Sequence, residues 1–346
     1  MSIRVLKPGP LSSVQDLGRY GYQRFGVIVS GVMDEWSHRV ANLLVGNPES
    51  EASLEITLMG PSLVFERDAL IAITGADLSP RIGEQAVPCG RPILVRAGTQ
   101  LDFGKRQFGC RAYLAVHGGF AIAPVMNSKS TYLRAGLGGF EGRALKKGDL
   151  LPVGTQDPAV ISSGSAKDDK NQPRALGRQL APGQAFAVIE DERLTQPLHP
   201  AMDAERIRFI AGQQWSAFTA EAQHRFAHEE FCVNKNSDRM GYRLDGPGLA
   251  LHAPLEMISE GVAFGSVQVP PDGNPIVLMA DRQTAGGYPK IAAIASVDLP
   301  LLAQAIPQQS LRFAQIDLEQ AQALYLQRES GLDALRQSLE LLKGNS

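Results

Sequence analysis

Short apolar runs that close on glycine or proline punctuate most of this chain, and that spacing restricts the fold more than any other feature. With 35 glycines and 22 prolines in 346 residues, turn residues recur too often for a helical bundle and suit many short strands. Ser62-Leu-Val-Phe65, Leu70-Ile-Ala-Ile-Thr74 before Gly75, Pro92-Ile-Leu-Val95 and Cys110 to Val116 before Gly118-Gly119 are each of strand length. A helix interrupts them: Asp34 is placed to cap it, Trp36, Val40, Leu43 and Leu44 recur at helical spacing, and Gly46-Asn47-Pro48 stops it. The second half repeats the style with Ile207–Ile210, Phe231–Val233, Tyr242–Leu244 and a hairpin around Pro270-Pro-Asp-Gly-Asn274. Trp215, Phe218, Ala222 and Phe226 fit one helical stripe, and Asp317 with Gln320 reads as a capping box opening a C-terminal amphipathic helix. The expectation is a mainly β protein with a few helices. Residues 1–154 and 183–346 form two β domains, and the polar, aperiodic stretch 155–182 reads as a linker or long surface loop.

Charge excludes some function classes. Lys plus Arg number 34 and Asp plus Glu 36, a net charge of −2 with no basic block, so nothing points to nucleic acid or an acidic membrane. The N-terminal MSIRVLKPGPLSS has no apolar signal-like run and the best apolar stretch, Pro275–Ala280, is far shorter than a membrane span. Three scattered cysteines, Cys89, Cys110 and Cys232, form no disulfide or metal-knuckle pattern. A cytoplasmic protein is expected.

Motifs for familiar chemistry are missing. There is no phosphate-binding G-x-x-x-x-G-K-[ST], and Gly136-Leu-Gly-Gly-Phe-Glu-Gly142 falls one residue short of the dinucleotide fingerprint. His224 and His228 stand one helical turn apart, but lack the H-E-x-x-H glutamate and read as helix-face histidines. Ser12, Ser13, Ser130, Thr131 and Ser237 lie outside any G-x-S-x-G elbow. What remains are polar clusters where strands end in glycine-rich loops, which a rigid sheet can hold against a ligand. One is Val14-Gln-Asp-Leu-Gly-Arg-Tyr-Gly21, with Asp16 and Arg19, followed by Ser30-Gly-Val-Met-Asp34. Another, Asn236 to Leu244, brings Ser237, Arg239 and Arg243 together. Gln268 sits inside an apolar strand, where an amide needs a partner. Asp281-Arg-Gln-Thr-Ala-Gly-Gly-Tyr288 leaves an apolar strand directly. Each also has a structural reading: Asp16 with Arg19, or Asp238 with Arg239 or Arg243, as ion pairs that fasten loops, and Gln268 as a satisfied core amide.

These residues carry a resemblance. QDLGRYG at 15–21, SGVMD at 30–34, LEITLMGP at 54–61, YLAVHGG at 113–119, GLGGFEGRALKKGD at 136–149, SDRMGYRL at 237–244 and VQVPPDGNPIVLMADRQTAGGYPKIA at 267–292 resemble the allophanate hydrolase subunit 2 family, also called KipA-like or biotin-dependent carboxyltransferase-like. The likeness is strongest to its bacterial 5-oxoprolinase branch. It implies two cyclophilin-like β-barrel domains. It also implies a hydrolase subunit that works with two partners to open the lactam of 5-oxoproline to glutamate. One partner is of the allophanate hydrolase subunit 1 (KipI-like) type and the other is LamB/YcsF-like. ATP and magnesium are implied for the complex, because a lactam carbonyl yields to water only once its oxygen carries a good leaving group. On this reading Asp16, Gln268 and Asp281 are the catalytic candidates. Arg19, Ser237, Arg239, Arg243, Gln283, Thr284, Gly286, Gly287 and Tyr288 are the substrate-binding ones, with the arginines suited to a carboxylate or phosphate. No metal ligand is assigned. The chain has no biotinyl-lysine A-M-K-M motif, so biotin is not attached to it. Two further readings stay open: the acceptor half of a carboxyltransferase acting on urea or a related amide, and a regulatory protein that binds a KipI-like partner.

Overall fold

A computed structural model describes residues 2–155, 180, 183–189 and 206–344. The mainly β expectation holds. The expected linker, 155–182, lies almost wholly outside the described residues. Two compact units are present and each is assembled from separated stretches: one from the described residues within Met1–Gly18, Glu35–His199 and Gly331–Ser346, the other from those within Arg19–Asp34 and Pro200–Ser330. The sequence reading, by contrast, drew two continuous domains.

The strands of the first unit are β1 (Ser2–Lys7), β2 (Leu11–Gln15), β3 (Ser53–Thr57), β4 (Ser62–Phe65), β5 (Ala69–Asp77), β6 (Pro80–Ile82), β7 (Gln85–Ala86), β8 (Pro92–Val95), β9 (Gln100–Phe103), β10 (Phe108–Val116), β11 (Leu150–Pro152) and β12 (Phe186–Val188). They form two six-stranded sheets, ordered β11-β1-β4-β9-β6-β7 and β12-β8-β5-β10-β3-β2. Strand parity explains the core. Leu54 and Ile56 of β3, Leu114 of β10 and Ile71 and Ile73 of β5 join Ile3, Leu63 and Leu101 in one buried apolar cluster. The alternate residues Ser53, Glu55, Arg111, Tyr113 and Thr74 are polar yet also buried. The helix Glu35–Leu44 packs on β5 and β10. Thr74 Oγ1 donates to its Ser37 carbonyl at 2.6 Å. Its end follows the sequence signal: Gly46, at φ 74°, donates its N–H to the Leu43 carbonyl.

The second unit contains β13 (Ile207–Ala211), β14 (Glu230–Val233), β15 (Gly241–Asp245), β16 (Glu260–Gly261), β17 (Ser266–Gln268), β18 (Ile276–Leu278), β19 (Ala285–Gly286), β20 (Lys290–Ile294) and β21 (Ser310–Gln315). Seven of them close a barrel in the order β13-β20-β17-β18-β15-β14-β21, and β16 pairs with β19 as a separate two-stranded ribbon. The seam is the parallel pairing of β13 with β21, Ile207 opposite Phe313. Phe226, from the helix Ala220–His228, fills the barrel's aromatic core: its ring centroid lies 4.8 Å from both Phe209 and Phe313. Only Ala222 and Phe226 of the expected stripe lie on this helix; Trp215 belongs to a short 3-10 turn, Trp215–Ala217, and Phe218 caps that turn in an extended conformation. The helix starts at Thr219, whose side chain accepts the Ala222 N–H at 3.1 Å. Thr219→Ala is expected to cost about 1 kcal/mol, read as a lower denaturant midpoint with an unchanged slope. His224 and His228 stack on its outer face, centroids 4.3 Å apart.

Two turn signals are realised closely. In the β17–β18 hairpin Gly273, at φ 79°, donates to the Pro270 carbonyl at 2.9 Å. At the C-terminal helix Leu318–Gly344, Asp317 N–H donates to Gln320 Oε1 at 3.1 Å and Gln320 N–H to Asp317 Oδ1 at 2.7 Å, a reciprocal capping box. No helix among the described residues is long and apolar enough to cross a membrane.

Candidate active site

The barrel places two of the sequence-selected clusters at the ends of paired strands. Pairing of β15 with β18 continues past the strand ends, where Asp281 N–H donates to the Arg239 carbonyl at 2.7 Å. This close backbone approach sets the two side chains against each other. Arg239 donates through Nε to Asp281 Oδ2 at 3.0 Å and through Nη2 to Oδ1 at 3.1 Å. Ser30 Oγ donates to Oδ1 at 2.8 Å, and Arg239 Nη2 also donates to the Gly31 carbonyl. Both residues are buried. Both carboxylate oxygens are therefore occupied, and the pair clamps the Ser30–Gly31 turn. Farther along the same segment Asp34 accepts from Gln304 Nε2 at 2.7 Å.

Around Gln268 a second cluster forms. Gln268 ends β17 opposite Lys290 of β20, where the register shifts between Val267 and Gln268. Its Nε2 donates weakly to the Tyr288 carbonyl at 3.4 Å and its Oε1 accepts from Gln283 Nε2 at 3.2 Å. A Cβ at Gly286 would lie 2.5 Å from Gln268 Nε2, so a side chain there shifts the Gln268 amide. Lys290 is buried, its N–H donates to Gln214 Oε1 at 3.0 Å, and its ammonium meets Glu260 Oε2 at 2.7 Å. Arg282 is also buried, with two long contacts of 3.4 Å to the Val262 and Met279 carbonyls and its guanidinium 5.6 Å from the Phe264 ring. Burial pulls the Arg282 pKa below the ordinary guanidinium value, against the opposing pull of Tyr20 and Asp281; the group remains a cation. Thr284 joins through its carbonyl, which accepts the Val262 N–H at 3.3 Å, while Gly287 and Tyr288 are exposed. The barrel thus brings the Gln268 and Gln283 amides together beside a buried ammonium, with buried Arg282 next to Gln283 in the chain. That donor set fits a small anion carrying an amide.

The remaining selected residues are Ser237, Arg243, Asp16 and Arg19, the last of which donates its N–H to the Val29 carbonyl at 2.7 Å. Ser237 Oγ accepts the Arg243 N–H at 3.1 Å and donates to its carbonyl at 3.2 Å, which locks the turn between β14 and β15 and leaves the Arg243 side chain exposed. Asp16 belongs to the first unit, where its carboxylate accepts from Ser128 Oγ at 2.7 Å, Ser130 Oγ at 2.5 Å, Lys129 N–H at 2.5 Å and Gly18 N–H at 2.9 Å. The first three of these bonds fasten the 128–130 loop to the end of β2. Arg19 belongs to the second unit and is fully buried.

Sequence reasoning passed over Lys290, Arg282 and Glu260. Lys290 carried a signal: a lysine opening the otherwise apolar run Ile291–Ile294. For magnesium the cluster is poorly equipped, since the Asp281 carboxylate is engaged by Arg239 and Ser30 and that of Glu260 by Lys290. Among the described residues no group of three or more His, Cys, Asp or Glu side chains converges.

Comparison with known proteins agrees with this architecture. Residues 25–315 match the family described as "Carboxyltransferase domain, subdomain A and B". The chain is 36% identical to the 5-oxoprolinase C subunit of Haemophilus influenzae over 338 residues, covering 98% of this chain and 99% of that protein. It is 38% identical to the 5-oxoprolinase C subunit of Escherichia coli over 92% of this chain and 93% of that protein. Among solved structures the urea amidolyase of K. lactis aligns with a TM-score of 0.81 at 30% identity, over 96% of this chain but only 20% of that one. By sequence match across both units and by shared fold, the chain belongs to the carboxyltransferase domain family, subdomains A and B.

Proposed function

We propose that this chain is the C subunit of an ATP-dependent 5-oxoprolinase and that the Gln268 cluster holds the substrate. One observation carries the reading: buried Lys290 lies opposite Gln268 across β20 and β17, with Gln283 bonded to the same amide. 5-Oxoproline is a carboxylate attached to a lactam, and a buried cation beside two amides offers a partner to each half. Full-length similarity to two bacterial 5-oxoprolinase C subunits supports it. Gln268 and Gln283 orient the lactam, while Lys290 and Arg282 hold the carboxylate. Asp281, tied to Arg239, sets the strand exit from which Arg282 and Gln283 project. ATP and magnesium act in the assembled complex, with a LamB/YcsF-like protein and a KipI-like protein as partners. Once the lactam oxygen is phosphorylated, one water adds to the carbonyl carbon, the C–N bond breaks to leave the amine and the acyl phosphate of glutamate, and a second water releases phosphate.

The test is reconstitution. Mixed with the LamB/YcsF-like and KipI-like partners, ATP, magnesium and 5-oxoproline, the chain is expected to yield glutamate that disappears when any component is omitted. Gln268→Ala is expected to lower turnover about tenfold in an intact complex, the scale of one lost polar contact to a reacting amide. Glutamate formation at the full rate by this variant removes Gln268 from the site. A second reading, an acceptor half of a carboxyltransferase, draws on the likeness to urea amidolyase. It predicts carboxylation of urea in the presence of a carboxybiotin carrier and no glutamate.

A further inference from the structure

We propose that Glu260 is a built-in stand-in for the ligand's carboxylate: it occupies Lys290 in the unliganded protein, and an anionic ligand displaces it and opens the β16–β19 ribbon. The inference rests on the reading of the Gln268 cluster as an anion-and-amide site and adds what selects the ligand there.

The two partners of this ion pair are unequal. The Lys290 side chain is 9% exposed and that of Glu260 is 47% exposed, with 2.7 Å between Nζ and Oε2. Lys290 is anchored, because it starts a barrel strand and its N–H is held by Gln214. Glu260 sits on a ribbon only two residues long on each side, Glu260 opposite Gly286 and Gly261 opposite Ala285, extended by the Val262 N–H to Thr284 carbonyl bond. The segment leading into it is exposed, with Ile258 89% accessible. When the pair breaks, the ribbon therefore moves and the lysine stays. A half-exposed carboxylate regains water easily, whereas a buried ammonium left alone is costly. Lys290 consequently exchanges one carboxylate for another and does not release Glu260 to a neutral molecule. The same exchange moves Gly286, which packs on the Gln268 amide, so arrival of the carboxylate at Lys290 and uncovering of the amide are one event.

The experiment uses the full chain with Glu260→Gln and Lys290→Met, each verified as folded by circular dichroism. Hydrogen exchange of segment 257–262 is followed with and without 5-oxoproline, and binding of 5-oxoproline is compared with that of the neutral lactam 2-pyrrolidinone. Both variants are expected to speed ribbon exchange about tenfold without ligand, as is 5-oxoproline added to the unaltered protein. Glu260→Gln is expected to bind 5-oxoproline and 2-pyrrolidinone about three- to tenfold tighter, because its open ribbon leaves the Gln268 amide uncovered, and Lys290→Met to bind 5-oxoproline about tenfold more weakly. Unchanged ribbon exchange in both variants overturns the proposal. So does a Glu260→Gln protein with no gain in affinity while Lys290→Met loses it, a result that leaves the substrate reading standing. No binding of 5-oxoproline by any of the three, or full binding by Lys290→Met, overturns the proposal and the substrate reading together.

Discussion

Asp281→Ala is expected to lower the free energy of unfolding by about 3–5 kcal/mol, because it strips the partner from a buried guanidinium. Arg239 is 5% exposed and spends both Nε and Nη2 on Asp281, with Ser30 Oγ completing the carboxylate's shell. Removal of the carboxylate leaves the charge, the hydroxyl and the Ser30–Gly31 turn without their common acceptor. The gain from pairing two buried charges is small, but the loss on removing one is large. Hence the double variant Arg239→Met with Asp281→Leu is expected to recover much of the loss, since it deletes the charge along with its partner. Chemical denaturation followed by tryptophan fluorescence reads both: Trp215 lies in the same barrel unit, its ring 5.8 Å from Phe209. A single variant within about 1 kcal/mol of the unaltered protein contradicts the clamp, given the usual scale of surface substitutions.

Acid is expected to weaken the first unit through His38. Burial lowers the His38 pKa to about 4, against the opposing pull of Asp16 and Glu55 and with a smaller lowering from Arg39. The ring is enclosed by polar neighbours. Nδ1 meets Ser53 Oγ at 2.7 Å, and Nε2 faces Asn42 Nδ2 at 3.4 Å. The Asn42 amide cannot turn over: its Nδ2 donates to the Glu51 carbonyl at 2.7 Å and its Oδ1 accepts from Asn47 at 3.1 Å. The hydrogen bond to the Glu49 backbone favours the protonated ring, and burial outweighs it. The sign follows from linkage. The unfolded chain takes up a proton at His38 near pH 6.5 and the native one only near 4, so stability is full above the unfolded value and falls as pH drops between the two. From about pH 8 to about pH 5 the loss is about 2 kcal/mol from this residue alone. Denaturant midpoints across that window check it; a flat profile, or a His38 ring that titrates near 6.5 by NMR, refutes it.

Most strands were legible because each is a short apolar run ending on a turn residue, and turn chemistry acts locally: Gly273 and Asp317 with Gln320 do in the structure what their neighbours in sequence imply. The polar site was legible only in part. Gln268 stood out as an amide in an apolar strand, and its partner Gln283 was named as well, but Lys290 and Glu260 are thirty positions apart. Nothing in either neighbourhood announces a pairing that the barrel register creates. Ser237 and Arg243 show the converse. They sit together in a string that reads as a ligand clamp, yet they use hydroxyl and backbone to close a turn. Asp16 was conspicuous for the same reason, and its four donors come mostly from a loop more than a hundred residues away. A loop-fastening carboxylate and a reactive one look alike in one dimension, because both need several polar groups close by.

The way the two units share the chain has a consequence for biosynthesis. Residues 19–34 leave the ribosome early, but the barrel unit they belong to is otherwise drawn from Pro200–Ser330, and its seam waits for β21 to lie beside β13. The first unit in turn lacks its last contribution until Gly331 and beyond have emerged. Each unit therefore waits for a distant stretch of chain to emerge, and the nascent chain carries an unsealed barrel edge until β21 is made, a stage at which exposed strands invite chaperones or misassembly.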